Sequence, residues 1–370
     1  MVTRDDDLFA QVLHHRIRDL QPGDPIPASI DLASTYLLPG TPSTHHQYGR
    51  WTNPVWDELE AALGLLENAE VVIFPSGMAA IASVLLTHLH TGDRFLLPSD
   101  GYYTTRILAE KYLVPNGVEI ELCATRDYAA RDFAGFRLVW IETPSNPGLD
   151  LCDLQDVVAR AHAAGAIVVA DNTTLTPLGQ RPLDLGADVI ISADTKAIGG
   201  HSDVVFGHVA SRNAEIMTAV RDWRKFVGAI PGPFESWLIL RSLESFEVRF
   251  DRMCTSALVI AERLEQHPAV AAVKYPGLAS HTDHELAQRQ MTRFGSVIGV
   301  TFADAATAER FINDTPYIVP STSFGGTHTS AERRARWGDA VADGYVRLSI
   351  GCEPTEALWS AMKGVLDSLA

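Results

Sequence analysis

The chain has 370 residues, 46% of them hydrophobic, and a formal net charge of −16. A chain of this length can bury a large core and is expected to divide into two domains. The acidic charge argues against nucleic acid or an anionic membrane as the main partner, and no apolar stretch is long enough to span a bilayer. Because the amino terminus is acidic, unlike a signal peptide, we expect a cytoplasmic protein.

The cysteines and histidines predict neither a metal site nor a disulfide framework. The four cysteines lie far apart in the sequence and are Cys123, Cys152, Cys254 and Cys352. None forms a C-x-x-C pair with another. Two histidine pairs, His14-His15 and His45-His46, could suggest metal ligands, but adjacent histidines on a loop or helix are expected to point apart. We therefore expect no bound metal.

Residues 1–50 are rich in proline and polar side chains and are predicted to form an extended arm. From Asn53 the pattern changes to that of a helix. The apolar stripe of this helix consists of Leu59, Ala62, Leu63 and Leu66. A first domain is therefore predicted to begin near residue 51.

Short apolar runs separated by helical segments follow this helix. The runs cover residues 71–74, 95–97, 138–141, 167–170 and 189–191. Between the third and fourth runs, residues 153–164 have helical spacing, and Gly165 is a typical helix stop. Strands that are apolar throughout and alternate with helices are typical of a parallel sheet covered on both faces. The sequence thus predicts an α/β fold with a mainly parallel sheet flanked by helices, over residues 51–243.

The pattern changes after about residue 243. A long helix is predicted over residues 245–267, then a strand over residues 296–302 and a closing helix over residues 355–369. The charged residues predicted to face outward from the long helix are Arg249, Arg252, Glu262 and Arg263. Residues 244–370 are therefore predicted to form a smaller α+β domain.

Lys196, one of only five lysines, follows the apolar run at residues 189–191 and precedes Gly199-Gly200. Burial disfavours the charged form of an amine, so the pKa of Lys196 is expected to fall. A free amine in a pocket can condense with an aldehyde, as Schiff-base lysines do. A lone lysine is more often a surface residue of a flexible loop. The residues at the ends of the neighbouring strands favour a buried, reactive lysine here.

Three other loops are expected at the same sheet edge, where ligands bind in open parallel sheets. Residues 75–80 form a small-residue turn that opens a helix, which suits an anion, although such a turn often has no ligand. Residues 142–147 contain two prolines and hold Asn146 as a hydrogen-bond donor. Asp171 directly follows a buried strand and needs a cationic partner, unless it is a helix N-cap. A protonated pyridine nitrogen is such a partner, so the four loops together predict pyridoxal 5′-phosphate.

These motifs resemble the Cys/Met-metabolism family of pyridoxal-phosphate enzymes. This group includes cystathionine γ-synthase, cystathionine γ- and β-lyases and methionine γ-lyase. The resemblance implies a fold type I transferase-like architecture. Its segments span nearly the whole chain: Ser34-Thr35-Tyr36, Tyr48-Gly49-Arg50, Asn53-Pro54, Ser76-Gly77-Met78-Ala79-Ala80, Glu142-Thr143-Pro144-Ser145-Asn146-Pro147, Asp171-Asn172-Thr173, Thr195-Lys196, Gly200-His201-Ser202-Asp203, Ser323-Phe324-Gly325-Gly326 and Val346-Arg347-Leu348-Ser349-Ile350-Gly351.

The resemblance also implies roles for particular residues. Lys196 would bond to the cofactor aldehyde and shuttle protons, and Tyr102, or its neighbour Tyr103, would stack on the ring and assist. The implied cofactor-binding set is Tyr48, Arg50, Gly77, Met78, Tyr102, Asn146, Asp171, Thr173, Thr195 and Lys196. The implied substrate-binding set is Asn146, Ser323 and the carboxylate clamp Arg347. Tyr48 and Arg50 would reach the phosphate of a neighbouring subunit, which implies a homo-oligomer, typically a tetramer built from two dimers.

The sequence departs from the family pattern both at the phosphate and where substrates are selected. Ala193 replaces a serine, so that one hydrogen bond to the phosphate is either absent or made by Ser192. Thr322 stands where a glutamate is frequent, and residues 327–338 replace the usual His-Pro-Ala stretch. The expected activity is elimination or replacement at Cγ of a sulfur- or oxygen-substituted amino acid, with cystathionine γ-lyase favoured. A γ-synthase, a β-lyase and a relative without catalytic activity are the alternatives.

Overall fold

The computed structural model describes the backbone of residues 4–370 and the side chains of these residues apart from 4–6 and 18. The larger of its two sheets consists of β1 Glu70–Phe74, β2 Arg94–Pro98, β3 Glu119–Cys123, β4 Leu138–Glu142, β5 Ile167–Asp171, β6 Val189–Ser192 and β7 Gly207–Ser211. Their order across the sheet is β1-β7-β6-β5-β4-β2-β3. Neighbours from β6 to β3 pair in parallel, whereas β7 runs antiparallel to both β6 and β1. The predicted α/β fold with a mainly parallel sheet is confirmed.

Helices cover both faces of this sheet, because the side chains of each strand alternate between two apolar cores. Val139 and Ile141 of β4 pack into one core, and Leu138 and Trp140 pack into the other. The helices that accompany the sheet are α2 Pro54–Glu67, α3 Gly77–His88, α4 Tyr103–Leu108, α5 Leu154–Ala163, α6 Thr176–Gly179, α7 Ala214–Val227 and α8 Pro233–Leu243. Because the parallel strands point in the same direction, their carboxyl ends all lie at one edge of the sheet, and the loops that follow them gather there.

The smaller sheet has five strands in the order β10-β11-β12-β9-β8. They are β8 Ala272–Lys274, β9 Val297–Thr301, β10 Val319–Pro320, β11 Ser330–Arg333 and β12 Tyr345–Ser349. The surrounding helices are α9 Phe246–Glu265, α10 His284–Gln290, α11 Ala305–Asp314 and α12 Thr355–Leu366. Residues of α9, α11 and α12 join those of β9 and β12 in a separate apolar core. The predicted boundary near residue 243 falls between α8 and α9.

The amino-terminal segment differs from the predicted extended arm, because helix α1, Arg4–His14, occupies its start. Phe9 and Val12 lie one helical turn apart and are buried in the core that also contains α2. The segment after α1 is largely irregular, and a β-bridge joins Thr35 to Tyr48. Proline-rich composition thus describes the middle of this segment and not its beginning. Within residues 4–370, no helix has the length and apolar character needed to cross a membrane.

The prediction that Arg249 faces outward from α9 was wrong. Its guanidinium is buried and donates to the carbonyl oxygens of Ala197 at 2.9 Å, Ile198 at 3.0 Å and Ser242 at 3.0 Å. These carbonyls belong to irregular backbone and need donors once they are buried. Arg249 therefore fixes the chain that directly follows Lys196.

A buried ion cluster lies beneath the loop that carries Lys196. His208 of β7 is in contact with Asp194 through Nδ1 at 2.8 Å and with Glu67 through Nε2 at 3.3 Å, and all three side chains are buried. Burial alone would lower the pKa of His208, but the two carboxylates outweigh it and raise the pKa to about 10. At neutral pH His208 is therefore a buried cation that compensates these carboxylates.

We expect His208→Ala to lower the free energy of unfolding by about 3–5 kcal/mol, because it leaves buried carboxylates without their cation. Urea unfolding of the holoenzyme at pH 7 measures this loss. His162→Ala is the control, since the ion pair of His162 with Asp188 is largely exposed and should contribute less than about 1 kcal/mol.

The pH dependence follows from the raised pKa of His208. Its stabilisation is complete below the unfolded value of 6.5 and is lost as the pH rises through about 10. The difference between wild type and His208→Ala should therefore shrink at high pH. A difference that stays constant up to pH 10 would contradict the charged state assigned to His208.

Candidate active site

The loops at the carboxyl ends of β4, β5 and β6 enclose a cavity of about 390 Å³ with the start of α3 and residues of the smaller sheet. Ten of the twelve residues predicted for the site line it: Gly77, Met78, Tyr102, Asn146, Asp171, Thr173, Thr195, Lys196, Ser323 and Arg347. Tyr48 and Arg50 lie elsewhere. Tyr48 is 40% exposed, and Nη1 of Arg50 donates to the carbonyl oxygen of Lys225 at 2.5 Å.

Lys196 follows β6 and projects its amine into this cavity. Nζ donates to Oγ of Ser323 at 3.0 Å and lies 5.2 Å from the centre of the Phe324 ring. Burial and, after it, the charge of Arg347 lower the pKa of Lys196 to about 8, although Asp171 and Glu332 act in the opposite direction. Roughly a tenth of the amine is therefore unprotonated at pH 7, far more than for an exposed lysine, and this is the form that attacks an aldehyde.

The loop that carries Ser323 approaches the lysine closely and adopts an uncommon backbone conformation. Ser323 has a φ of 80°, in the left-handed region that a residue other than glycine rarely adopts. Gly325 follows with a φ of 77°, and a Cβ atom there would lie 2.7 Å from the backbone nitrogen of Ala197. Glycine is thus required at 325 for this loop to place the Ser323 hydroxyl beside Nζ.

The start of α3 provides a site suited to a phosphate group. Ser76 caps the helix by accepting from the backbone N–H of Ala79 at 3.0 Å, and Gly77 and Met78 of the first turn line the cavity. A Cβ atom at Gly77 would lie 2.7 Å from Cβ of Ala193, so the helix start is in close contact with the lysine loop. First-turn N–H groups and the positive end of the helix favour an anion here.

Two side chains near this helix start are already engaged. The hydroxyl of Thr195 exchanges hydrogen bonds with the backbone of Phe206, at 3.1 Å as donor and 2.9 Å as acceptor. Ser192 is buried, and its hydroxyl donates to Asp194 at 2.9 Å. Because its only hydrogen is used in this way, Ser192 does not replace the serine hydroxyl that is missing at Ala193.

Asp171 ends β5 and is only 9% exposed. It accepts from the backbone N–H of Thr173 at 3.0 Å. Burial raises the pKa of Asp171, while Thr173 and the charge of Lys196 lower it. A buried carboxylate in this position is stabilised by a cation at the cavity, and the protonated ring nitrogen of a pyridine supplies one. The residues present thus fit pyridoxal phosphate, which Lys196, Asp171 and the start of α3 would hold at three points.

Glu142 lies beside Asp171, opposite it in the register of β4 and β5, and was missed as a site residue. It is buried, and Oε2 accepts from the backbone N–H of Tyr102 at 2.6 Å. Burial, followed by the charge of Asp171, raises the pKa of Glu142 well above its ordinary value. Glu142 thereby fixes the backbone at Tyr102, whose ring lies 5.7 Å from that of Tyr103. Both tyrosines line the cavity, so either can stack on a bound ring.

Arg347 of β12 is only 5% exposed and reaches the cavity from the smaller sheet. Nη1 donates to Oδ1 of Asn146 at 2.7 Å, and Nη2 donates to the carbonyl oxygen of Ser323 at 3.3 Å and to Glu332. Its Nε is buried without a hydrogen-bond partner among the described residues. Burial lowers the pKa of Arg347 to about 10, and Glu332 opposes this shift. A buried donor without an acceptor is costly, so the free Nε indicates a site for a carboxylate.

Glu332 was also missed, and it connects Arg347 to the segment that departs from the family pattern. It is 1% exposed and lies opposite Arg347 in the register of β11 and β12. Besides Arg347, it accepts from Nη1 of Arg334 at 2.7 Å and from Nε1 of Trp337 at 2.9 Å. Arg334 and Trp337 line the cavity as well. Residues 327–338, which diverge from the family pattern, therefore form one wall of the site, and the carboxylate of Glu332 connects this wall to Arg347.

The profile of a family described as "Cys/Met metabolism PLP-dependent enzyme" matches residues 11–367. The chain belongs to this family. A Streptomyces coelicolor protein with the provisional name cystathionine γ-lyase is 46% identical over 342 residues, covering 90% of this chain and 87% of its own. A cystathionine β-lyase of Lactococcus lactis is 34% identical, covering 97% and 99%. The crystal structure of a cystathionine γ-synthase from Xanthomonas oryzae in complex with cystathionine has a TM-score of 0.92 and 32% identity, covering 98% of both chains.

Membership of the family confirms the expected cofactor, pyridoxal phosphate, and the expected class of a PLP-dependent enzyme. The three relatives carry the names of three activities, all of which act on cystathionine or form it. The fold and the cofactor are therefore common to all three.

We expect Arg347→Lys to lower kcat/KM for every α-amino-acid substrate by the equivalent of about 2–4 kcal/mol, because a lysine keeps the charge but loses the planar fork. Steady-state kinetics measure this loss, and cofactor absorbance should be unchanged. The matched control is Arg106→Lys, since Arg106 donates to the carbonyl oxygen of Gly101 at 2.8 Å and does not line the cavity. Near-normal kinetics for Arg347→Lys would show that another group holds the substrate carboxylate.

Proposed function

We propose that this protein is a cystathionine γ-lyase, which eliminates the sulfur substituent from Cγ of its amino-acid substrate. The observation that carries the proposal is that the amine of Lys196 and the buried guanidinium of Arg347, whose Nε has no hydrogen-bond partner among the described residues, line the same cavity. The choice of a γ-lyase is supported by the Streptomyces relative, which is 46% identical to this chain. Cystathionine γ-synthase and cystathionine β-lyase are the alternatives within the family.

In this proposal Arg347 orients the substrate. Its Nε–H donates to one oxygen of the α-carboxylate, while Asn146 keeps Nη1 in place. The planar guanidinium thereby fixes the direction of the Cα–H bond. Ser323 holds Nζ of Lys196 at 3.0 Å and so directs the lone pair of the free amine. Because the substrate Cα–H and the amine of Lys196 are both oriented, proton transfer between them becomes an intramolecular step of one complex and is faster for that reason.

Proton movement is the task proposed for Lys196. Pyridoxal phosphate, when bound, supplies an electron sink that acidifies the hydrogens at Cα and then at Cβ. With a pKa near 8, the amine of Lys196 can accept a proton from carbon and return it later. Asp171 keeps a positive charge at the ring nitrogen favourable, and the start of α3 binds the phosphate. Tyr102 or Tyr103 would cover the ring face and limit access of water.

The identity of the products distinguishes the three activities. We expect the purified holoenzyme to convert cystathionine into cysteine, 2-oxobutanoate and ammonia. Homocysteine and pyruvate would instead identify a β-lyase, and cystathionine formed from an O-acylhomoserine and cysteine would identify a γ-synthase. Mass spectrometry of parallel incubations with cystathionine, methionine, cysteine and the O-acylhomoserine plus cysteine makes this comparison.

Lys196→Ala should abolish turnover and leave the fold intact, because the group that moves the proton is removed. Circular dichroism reports the fold, and the variant should still retain cofactor through Gly77, Met78 and Asp171, with an altered absorbance. Lys363→Ala is the control, since this lysine pairs with Asp367 on the exposed face of α12 and should keep full activity. Substantial turnover by Lys196→Ala would refute the assignment of Lys196.

We also propose a cytoplasmic homo-oligomer, a tetramer built from two dimers, in which Tyr48 and Arg50 serve the neighbouring subunit. Their position supports this, because they lie outside the cavity of their own subunit, and the adjacent Trp51 and Phe226 expose 37% and 71% of their surfaces. Exposed aromatic side chains in a group are typical of protein interfaces. The four cysteines are unpaired, which suits a reducing compartment.

The shared site can be tested with mixed subunits. Arg50→Ala and Lys196→Ala homo-oligomers should each be inactive or nearly so. After dissociation and reassociation of the mixture, hybrid dimers contain one site with both residues intact, so part of the activity should return. Differently tagged subunits establish the exchange. Proven exchange without recovered activity would refute the shared site.

A further inference from the structure

A second group of polar side chains lies away from the cavity, between the irregular amino-terminal segment and the first turn of α2. Nε2 of His45 is 3.1 Å from Oδ2 of Asp57, and Nε2 of His46 is 3.4 Å from the same oxygen. All three ligand atoms lie within 4.8 Å of one another. The expectation that these adjacent histidines point apart was therefore wrong. Because the backbone bends at residues 44 and 45, it lacks the alternation of a strand, and both rings reach the same side.

The side chain of Thr52 contacts the ring of His46 at the nitrogen that does not face Asp57. Oγ1 of Thr52 lies 3.2 Å from Nδ1 of His46 and 3.3 Å from the carbonyl oxygen of His45. The other ring nitrogen of His46, Nε2, faces Asp57 at 3.4 Å. In metal-binding histidines one ring nitrogen binds the metal while a contact at the other nitrogen orients the ring. The contacts of His46 match this arrangement.

The segment that presents these histidines is held on both sides. Tyr36 stacks on the ring of His46 with 5.5 Å between ring centres. The bridge between Thr35 and Tyr48 closes the loop, and Gly49 donates from its N–H to the carbonyl oxygen of Ser34 at 2.9 Å. A Cβ atom at Gly49 would lie 2.5 Å from the carbonyl oxygen of Ala33, so the two chain segments are in direct contact. A ligand here would therefore meet a site that is largely formed beforehand.

Asp57 is available to a cation. Among the described residues, its ion pairs connect it to His45 and His46 and to no lysine or arginine. Two ligand atoms bound at about 2.1 Å in a tetrahedral zinc site are roughly 3.4 Å apart. The distance from Asp57 to His46 equals this value at 3.4 Å, and the distance to His45 is slightly shorter at 3.1 Å. Two imidazoles and one carboxylate are a donor set suited to Zn²⁺ and to neighbouring divalent transition metals, and unsuited to Mg²⁺ or Ca²⁺.

We propose that His45, His46 and Asp57 form a binding site for a divalent transition-metal cation of the Zn²⁺ class, with water completing the coordination. The bound cation would join the segment that carries Tyr48 and Arg50 to helix α2. It would thus stabilise this segment from outside the cavity.

The test uses the tag-free holoenzyme, freed of metal with a chelator and titrated calorimetrically with Zn²⁺, and with Co²⁺ for its visible absorption. We expect one saturable site per chain, weakened at least ~10-fold in each of His45→Ala, His46→Ala and Asp57→Asn, and about 10-fold in Thr52→Val, which releases the ring of His46. His90→Ala is the matched control, since His90 is exposed and lies 3.7 Å from Asp93 without a third ligand.

A second measurement is the thermal unfolding midpoint with and without Zn²⁺. The midpoint should rise in wild type and in His90→Ala, and should be unchanged in the three ligand variants, because only a ligand bound to the folded state stabilises it. Equal zinc affinity in wild type and the ligand variants, or the absence of a saturable site in wild type, would overturn the proposal and identify adventitious binding by other histidines.

Discussion

Lys196 lies half-buried in the cavity, and its amine must function there without a full hydration shell. Burial lowers the pKa of Lys196 to about 8, and the adjacent Arg347 acts in the same direction. Asp171 and Glu332 compensate part of this shift. The cavity thus holds two cations and two carboxylates, all of which lose favourable hydration there. The surrounding structure must compensate this loss by pairing the opposite charges and fixing their positions. The close approach at Gly325 and the hydrogen bonds from Arg249 to backbone carbonyls keep the chain around Lys196 in place.

The same need to compensate buried charge explains the wall formed by the divergent segment. Glu332 is almost fully buried and accepts from three donors, those of Arg347, Arg334 and Trp337. A carboxylate that accepts several hydrogen bonds stays ionised and orders the groups that donate to it. Glu332 therefore connects Arg347, the proposed substrate clamp, to Trp337, and we expect a change at Trp337 to act on Arg347 through this carboxylate.

The sequence alone predicted those features that depend on local pattern. Apolar runs identified the strands β1, β2, β4, β5 and β6, and the ends of these strands identified Lys196 and Asp171. Strand β3 was not predicted, because it lies at the sheet edge and has a mixture of exposed and half-buried residues instead of an apolar run. Strand β7 begins with Gly207 and the charged His208, whose burial depends on Glu67 and Asp194, distant from it in sequence.

The missed site residues share the same physical cause. Glu332 becomes part of the site only through the antiparallel register of β11 and β12. Glu142 does so through its pairing with Asp171 across two parallel strands. Arg249 was expected to face solvent on helical spacing, yet the loop after Lys196 presents carbonyls that require its guanidinium. Such long-range contacts are set by the packing of elements, which a pattern of neighbouring residues does not contain.

The close approach of Gly77 and Gly207 has a consequence for how this scaffold can diverge. A methyl group at Gly207 would lie 2.7 Å from the backbone of Gly77, so backbone packs against backbone at the start of α3, on the floor of the cavity, and no side chain fits there. At the opposite end, Trp337 leaves 56% of its surface in solvent and can be replaced without such a clash. Divergence among descendants of this chain, and directed evolution in the laboratory, should therefore accumulate at the rim and spare the floor. The enzyme would gain new substrates while its cofactor chemistry stays constant.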